Sequence, residues 1–430
     1  MVARESRISG FYKLPLIERR RAVAHVAEVD FDELVRDLET GLDPAVADKI
    51  VENVLGTYGL PFGIALNARL NDKDRLIPMV VEEPSVIAAT SNAARMVRHT
   101  GGFRAEVNEA LMTAQIQLTE VSDPLAAAER LRAREPELLA LAAAAVSGLV
   151  ARGGGPRSLE VRDLGDGMLV VHVYLDCRDA MGANLANTVA EAVGCEVARV
   201  ASGRLGLRIL SNLCDRRLVR VSCSARAEDL RARPDEDTAL QRDGSEVIEA
   251  VVQASHFAER DPYRAATHNK GIMNGVDSVV LATGNDYRAV EAGAHAFAAR
   301  TGRYQPLATW KRDGELLIGE LVMPLALGTV GGTLRVHPTA RLALKIAQVT
   351  SADDLAMLAA SAGLASNLSA LRALATEGIQ RGHMSLHARS IATAAGAVHD
   401  EVDRVASALS ANRAYDIAAA ERILRELRGP

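Results

Sequence analysis

Residues 112–121 read MTAQIQLTEV, an alternation of apolar and polar side chains with the two-residue period of a strand buried on one face. Asp123-Pro124 follows, a side-chain cap with proline in the first helical turn. An Ala/Leu-rich helical pattern then runs, with a restart at Pro136, to Gly153-Gly154-Gly155. Two strands, Leu159 to Asp163 and Met168 to Asp176, flank the turn Gly165-Asp166-Gly167. A helix from Ala183 to Ala201 and a strand from Leu207 to Leu210 complete the unit. The order is β-α-β-β-α-β, a ferredoxin-like split unit spanning 109–213.

Outward from this unit the chain reads as a larger mixed α/β structure. On the N-terminal side, Asp30 to Leu55 has helical apolar spacing, and Asn67 to Val81 reads as strand, turn and strand about Asn71-Asp72. The loop Glu82-Glu83-Pro84-Ser85 leads into an Ala-rich helix from Val86 to His99, which Gly101-Gly102 ends. On the C-terminal side, mixed structure continues to Gln348, with loops around Pro324 to Thr333. From Ser351 the chain is helical nearly to its end, with breaks expected at Gly378 and Gly382. The expected organisation is an α/β (α+β) protein: a large domain from 1–108 and 214–375, the inserted 109–213 unit, and a C-terminal helical flap over 376–430.

Composition narrows the function. The chain has 430 residues, is 48% hydrophobic and 24% charged, and carries a formal net charge of -5. That is the balance of a globular protein with a sizeable core, and it argues against nucleic-acid binding, which needs a basic excess. Cys177, Cys195, Cys214 and Cys223 form no CxxC pair or zinc-type spacing, as expected of free thiols in a reducing, cytoplasmic compartment. The N-terminal stretch is charged, and the apolar run Leu138 to Ala151 is too short to span a bilayer, so no membrane partner is expected.

No generic catalytic signature is present: GxGxxG after a strand, GxxxxGK[ST], GxSxG and HExxH are all missing. His383 and His387 lie four apart on a helical stretch, but no acid stands between them, and no metal is expected. Three segments are dense in usable chemistry. Residues 179–184, DAMGAN, join a strand to a helix N-terminus, where small residues let an anion approach free backbone N–H groups. A tight, capped connection reads the same way. The run from Asp261 to Gly275 holds Arg264 and Lys270, a carboxylate clamp and a point cation, followed by Gly284-Asn285-Asp286. By itself that run is also compatible with a solvated loop. Residues 378–384, GIQRGHM, place His383 beside two candidate hinge glycines.

Taken together and in order, ENVLGT at Glu52, EEPS at Glu82, DAMGAN at Asp179, the 267–274 run, Gly284-Asn285-Asp286 and GIQRGHM resemble the 3-hydroxy-3-methylglutaryl-coenzyme A (HMG-CoA) reductases, specifically the class II, bacterial-type branch. The resemblance extends from about Phe11 to the C-terminus. It implies two hydride transfers that interconvert HMG-CoA and mevalonate plus CoA, through mevaldyl-CoA and mevaldehyde. It also implies that the 109–213 unit binds the nicotinamide cofactor, NADH or NADPH, and that the protein is a homodimer, further assembled into hexamers in some members, with active sites at the subunit interface.

Residue by residue, the resemblance makes Lys270 the cation beside the carbonyl oxygen, held by Asp286. It makes Glu83 the proton donor, with a pKa raised by burial, by Glu82 or by the anionic substrate, and makes His383 the group that protonates the CoA thiolate. Ser85, Arg264 and Asn274 match the positions that hold the HMG moiety. Asp179, Met181, Gly182, Asn184 and Asn212 match the cofactor site. Two positions depart from the pattern. Val146 stands where NADH-using relatives can carry an Asp for the ribose, with Arg152 and Arg157 nearby, leaving the cofactor open. Tyr12-Lys13 stands where a relative has Arg near CoA.

Other readings remain open on sequence. The same enzyme can run physiologically as a mevalonate-oxidising catabolic enzyme. A CoA-thioester-binding protein without turnover, or a thioester hydrolase, would show no cofactor consumption.

Overall fold

The computed structural model describes residues 5–231, 242–376, 379–412 and 414–429, with the side chains of 333 and 379–386 also outside the description. Two β-sheets organise the chain. The first contains β1 (Phe62–Leu70), β2 (Lys73–Val80), β3 (Phe103–Asn108), β8 (Leu218–Arg226), β9 (Ala308–Asp313) and β10 (Leu316–Pro324), in the order β2-β1-β3-β8-β10-β9. All its pairings are antiparallel except β1 with β3. The second contains β4 (Leu111–Thr119), β5 (Gly155–Gly165), β6 (Met168–Asp176) and β7 (Arg204–Ser211), in the order β5-β6-β4-β7, antiparallel throughout.

The second sheet has the β-α-β-β-α-β chain order read from sequence. Its crossovers are the helices Pro124–Ala133 and Glu135–Ala145 for the first and Ala183–Ala201 for the second, packed against one another over the sheet. Asp123 caps the first by accepting from Ala126 N. Met112, Ile116, Leu118, Leu169, Val171 and Val173 pack with Val189, Val193 and Val197 into a core of their own.

The first sheet packs on a long buried helix, Ala352–Ala375, which meets Pro262–Ala282. Two glycines set the closeness of that crossing. A Cβ on Gly275 would lie 2.3 Å from Ala362 O, and one on Gly363 would lie 2.7 Å from Val276 Cγ2. Any side chain at either position would push the helices apart. Ala352–Ala375 is the one helix among the described residues long and apolar enough to cross a membrane, and it lies mostly buried in the protein's own core.

Several sequence expectations are corrected. The helical pattern over Asp30 to Leu55 is two pieces, Phe31–Thr40 and Pro44–Ala47, separated at Gly41 with φ +57°. Beyond them Val51, Leu55 and Tyr58 are exposed, so their apolar spacing does not serve this chain's own core. The polar 261–275 run is no solvated loop but the first turns of Pro262–Ala282, capped by Asp261. Gly382 does not break the chain either, since the helix Ile379–Ala394 runs through it.

Candidate active site

Three helices converge on a cavity of about 400 Å³. Pro262–Ala282 contributes Arg264, Thr267, Lys270, Gly271 and Asn274, whose three- and four-residue spacing puts them on one helical face. Val86–Arg98 contributes Ala88, Ala89 and Asn92, with Glu83 and Ser85 on the loop before it. Ala352–Ala375 closes the third side with Ser366, Ser369, Arg372 and their neighbours. Ser369 Oγ donates to Ala89 O at 2.6 Å, joining the third helix to the second.

Within this cavity Lys270 Nζ donates to Glu83 Oε2 at 2.7 Å. Glu83 is half-buried and Lys270 mostly exposed, so the pair lies at the mouth. Glu82 is exposed and absent from the lining. Arg264 has no carboxylate partner among the described residues, and burial makes its guanidinium easier to deprotonate than an ordinary arginine. A half-buried, unpaired guanidinium is a site for an anion. Ser85 has φ +75°, a conformation that costs a non-glycine residue of order 1–3 kcal/mol. Strain of this kind persists where the surroundings enforce it, and here it places Ser85 on the cavity wall.

The expected cofactor residues gather elsewhere. Asp179, Met181, Gly182 and Asn184 form the entry to Ala183–Ala201, and Asn212 follows β7. Because β6 and β7 both flank β4, with Tyr174 and Ser211 each opposite Thr113, these segments leave the same end of the second sheet. Gly182 has φ +106°, and a Cβ there would lie 2.5 Å from Cys177 Sγ. Only glycine lets the chain turn this tightly into the helix. The helix N-terminus so formed can receive an anionic group, which fits a dinucleotide's phosphates. Asp179 Oδ1 accepts from Ala352 N at 2.9 Å, tying this loop to the long core helix.

Asp286 departs from expectation. It does not line the cavity or bond Lys270 within one chain. Its carboxylate caps Tyr287–Ala298, accepting from the amides of Arg288 and Ala289 and from Arg288 Nε. Burial raises its pKa, but the Arg288 guanidinium and the two amides outweigh that and hold the carboxyl below the usual range. Its neighbour Asn285 is bonded to Gly328, which lies against Met181, so Asp286 stands near the 179–184 segment rather than in the cavity.

Val146 is 6% exposed, its side chain packed within the second core. Arg157 is engaged by Asp176 at 2.7 Å. Lys13 lies over the Tyr12 ring. The side chain of His383 falls outside the described residues; its backbone lies in Ile379–Ala394. Sequence reasoning missed Asn92, Ser366, Ser369 and Arg372. Asn92 was findable, seven residues beyond Ser85 on the same helical face. The others sit on a helix without any motif.

The comparisons decide the family. The family model described as hydroxymethylglutaryl-coenzyme A reductase matches residues 15–388. The 3-hydroxy-3-methylglutaryl-coenzyme A reductase of Archaeoglobus fulgidus is 46% identical over 430 residues, 99% of this chain and 96% of that protein. The chain belongs to the HMG-CoA reductase family. A probable HMG-CoA reductase of Borreliella burgdorferi is 32% identical over 89% of this chain and 86% of its own length. Among solved structures, the HMG-CoA reductase of Streptococcus pneumoniae superposes with a TM-score of 0.82 at 39% identity, covering 97% of this chain and 99% of that one. The class II enzyme of that organism bound to NADPH in open conformations matches with a TM-score of 0.80 at 40% identity, over 85% and 99%. HMG-CoA reductase is thus the activity of this chain, and class II its branch: an oxidoreductase interconverting HMG-CoA and mevalonate.

Proposed function

We propose that the cavity between the three helices is where HMG-CoA is reduced, with NADPH or NADH bound by the 109–213 unit at the entry to Ala183–Ala201. The observation that carries this is the convergence of Glu83, Ser85, Arg264, Lys270 and Asn274 on one cavity, with Lys270 and Glu83 hydrogen-bonded at 2.7 Å. A reduced nicotinamide supplies the hydride in each of the two transfers. The NADPH-bound relative supports NADPH as the first cofactor to try.

Arg264, a cation without a carboxylate partner among the described residues, pairs with the HMG carboxylate, while Ser85 and Asn274 orient the substrate through its polar oxygens. Hydride addition to the thioester carbon puts negative charge on its oxygen. The Lys270 ammonium is a fixed charge for that oxygen, an effect worth roughly 10²–10³ in rate. Glu83, carrying its proton as the carboxylic acid in this step, gives it to the oxygen, yielding mevaldyl-CoA. The C–S bond then breaks, the hydroxyl returns its proton to Glu83 as the carbonyl re-forms as mevaldehyde, and His383 protonates the departing thiolate. A second hydride and a second proton from Glu83 give mevalonate.

Asp286 enters from a second copy of the chain. On this reading the functional unit is a cytoplasmic homodimer, assembled into hexamers or not, and each site combines the cavity of one copy with the cofactor side of the other. Two features support it: Asp286 stands with the cofactor residues rather than in its own chain's cavity, and Val51, Leu55 and Tyr58 are exposed. The test is HMG-CoA-dependent loss of reduced-nicotinamide absorbance with release of CoA, run with NADPH and NADH in parallel. No consumption of either, and no reverse reaction from mevalonate, CoA and the oxidised cofactors, overturns the assignment.

A further inference from the structure

Arg217 is 2% exposed and forms no ion pair with a carboxylate among the described residues. Burying an unneutralised guanidinium is costly unless its donors are all well used. Here they are spent on main-chain carbonyls of two loops. Nη1 donates to Ala180 O at 3.3 Å and Met181 O at 2.9 Å, and Nη2 donates to Leu327 O at 2.8 Å. The two loops are joined again by Thr329 N donating to Asp179 O at 2.9 Å and by a parallel bridge between Ala180 and Val330. Gly328 sits so close that a Cβ on it would lie 2.6 Å from Met181 N.

Gly328 is gripped from its other side by Asn285. The Asn285 amide donates to Gly328 O at 3.1 Å and accepts from Gly328 N at 2.8 Å. Asp286 follows directly. A continuous set of hydrogen bonds therefore runs from the 179–182 loop through Arg217 and Gly328 to Asn285, beside Asp286.

We propose that Arg217 is a positioning residue for the dinucleotide: with Asn285 it locks the 180–182 loop, the 327–330 segment and Asp286 into one rigid unit, and its buried charge adds to the positive end of Ala183–Ala201 that receives the cofactor's phosphates. This rests on the assignment of residues 179–184 to the cofactor site. Lysine cannot replace the planar fork, because a single ammonium cannot span both loops as two nitrogens do. A neutral side chain loses both the span and the charge.

The experiment measures KM for HMG-CoA, KM for the preferred nicotinamide cofactor, kcat and Tm for R217K, R217M, N285A and N184A in the full-length enzyme. Asn184 is exposed and tests the cofactor assignment independently. The expected result is a cofactor KM raised roughly tenfold in R217M, the loss of charge-assisted hydrogen bonds, and less in R217K and N285A, with KM for HMG-CoA unchanged in all three. If N184A raises the cofactor KM but the Arg217 and Asn285 variants do not, the proposal is overturned while the cofactor assignment stands. Equal rises in both KM values, or a lower Tm with unaltered kinetics, also overturn it, since a merely structural residue behaves that way. If no variant, N184A included, moves the cofactor KM, the assignment of 179–184 fails and the proposal fails with it. Should the Arg217 variants not fold, N285A decides by the same criteria.

Discussion

Lys270 and Glu83, 187 positions apart in sequence, are joined by a 2.7 Å hydrogen bond at the mouth of the cavity between the three helices. The bond needs no rearrangement to form, because both partners are carried on elements fixed by other contacts. Lys270 is on a helix locked at Gly275 against Ala362, and Glu83 is on the loop before a helix bound through Ser369 to the core. A preset cation is what stabilisation of a developing oxyanion requires.

Replacing Lys270 with Met should lower kcat by about 10²–10³-fold with Tm nearly unchanged, since a mostly exposed side chain contributes little to stability. Steady-state kinetics and thermal melting of the same sample check this. A large loss of Tm would move the effect from chemistry to folding.

Mixing K270M with D286N should restore activity. In a mixed dimer one site receives both substitutions and the other neither, so random exchange returns roughly a quarter of wild-type sites. Activity that stays at the level of the separate variants would place Lys270 and Asp286 in the same chain's site.

Replacing His383 with Gln should slow reduction of the thioester more than reduction of mevaldehyde, because only the first releases a thiolate. Parallel assays with HMG-CoA and mevaldehyde give the comparison. Equal losses would remove His383 from thiolate protonation.

Arg75 and Asp354 form a buried pair in which Nη2 donates to both carboxylate oxygens at 2.9 and 3.0 Å, and Arg75 Nη1 also donates to Ala347 O and Gln348 O. Changing Asp354 to Ala leaves a buried guanidinium without its partner and should cost about 3–5 kcal/mol. Denaturant unfolding measures the loss, and a change within error would mean that water reaches Arg75.

Asp277 is pushed up to about 9, first by burial and then by the hydrogen bond and charge of Glu291. Glu291 is also bonded to His295, whose other nitrogen meets the Tyr304 hydroxyl. The folded state thus keeps a proton that the unfolded chain gives up near pH 4. Stability from this group is complete below that pH and is lost as pH rises towards 9. D277N, which can still donate to Glu291, should raise Tm at pH 8 and leave it nearly unchanged near pH 4. A difference independent of pH would disprove the shared proton.

Much of this protein was legible in its sequence. The alternation of residues 112–121, the Asp123-Pro124 start and the Gly165-Asp166-Gly167 turn fixed the order of the second sheet, because periodicity and capping are local properties of the chain. The ordered motifs also pointed to the family, and with it to Glu83, Lys270 and Arg264. Tertiary structure alone decided the rest. It made the polar 261–275 run a helix, since packing at Gly275 against Gly363's helix outweighs the run's polarity. It buried Val146, set Asn92, Ser366 and Arg372 on the cavity wall, and carried Asp286 away from the Lys270 of its own chain. Those are relations between segments hundreds of residues apart, and no local pattern records which surfaces will meet.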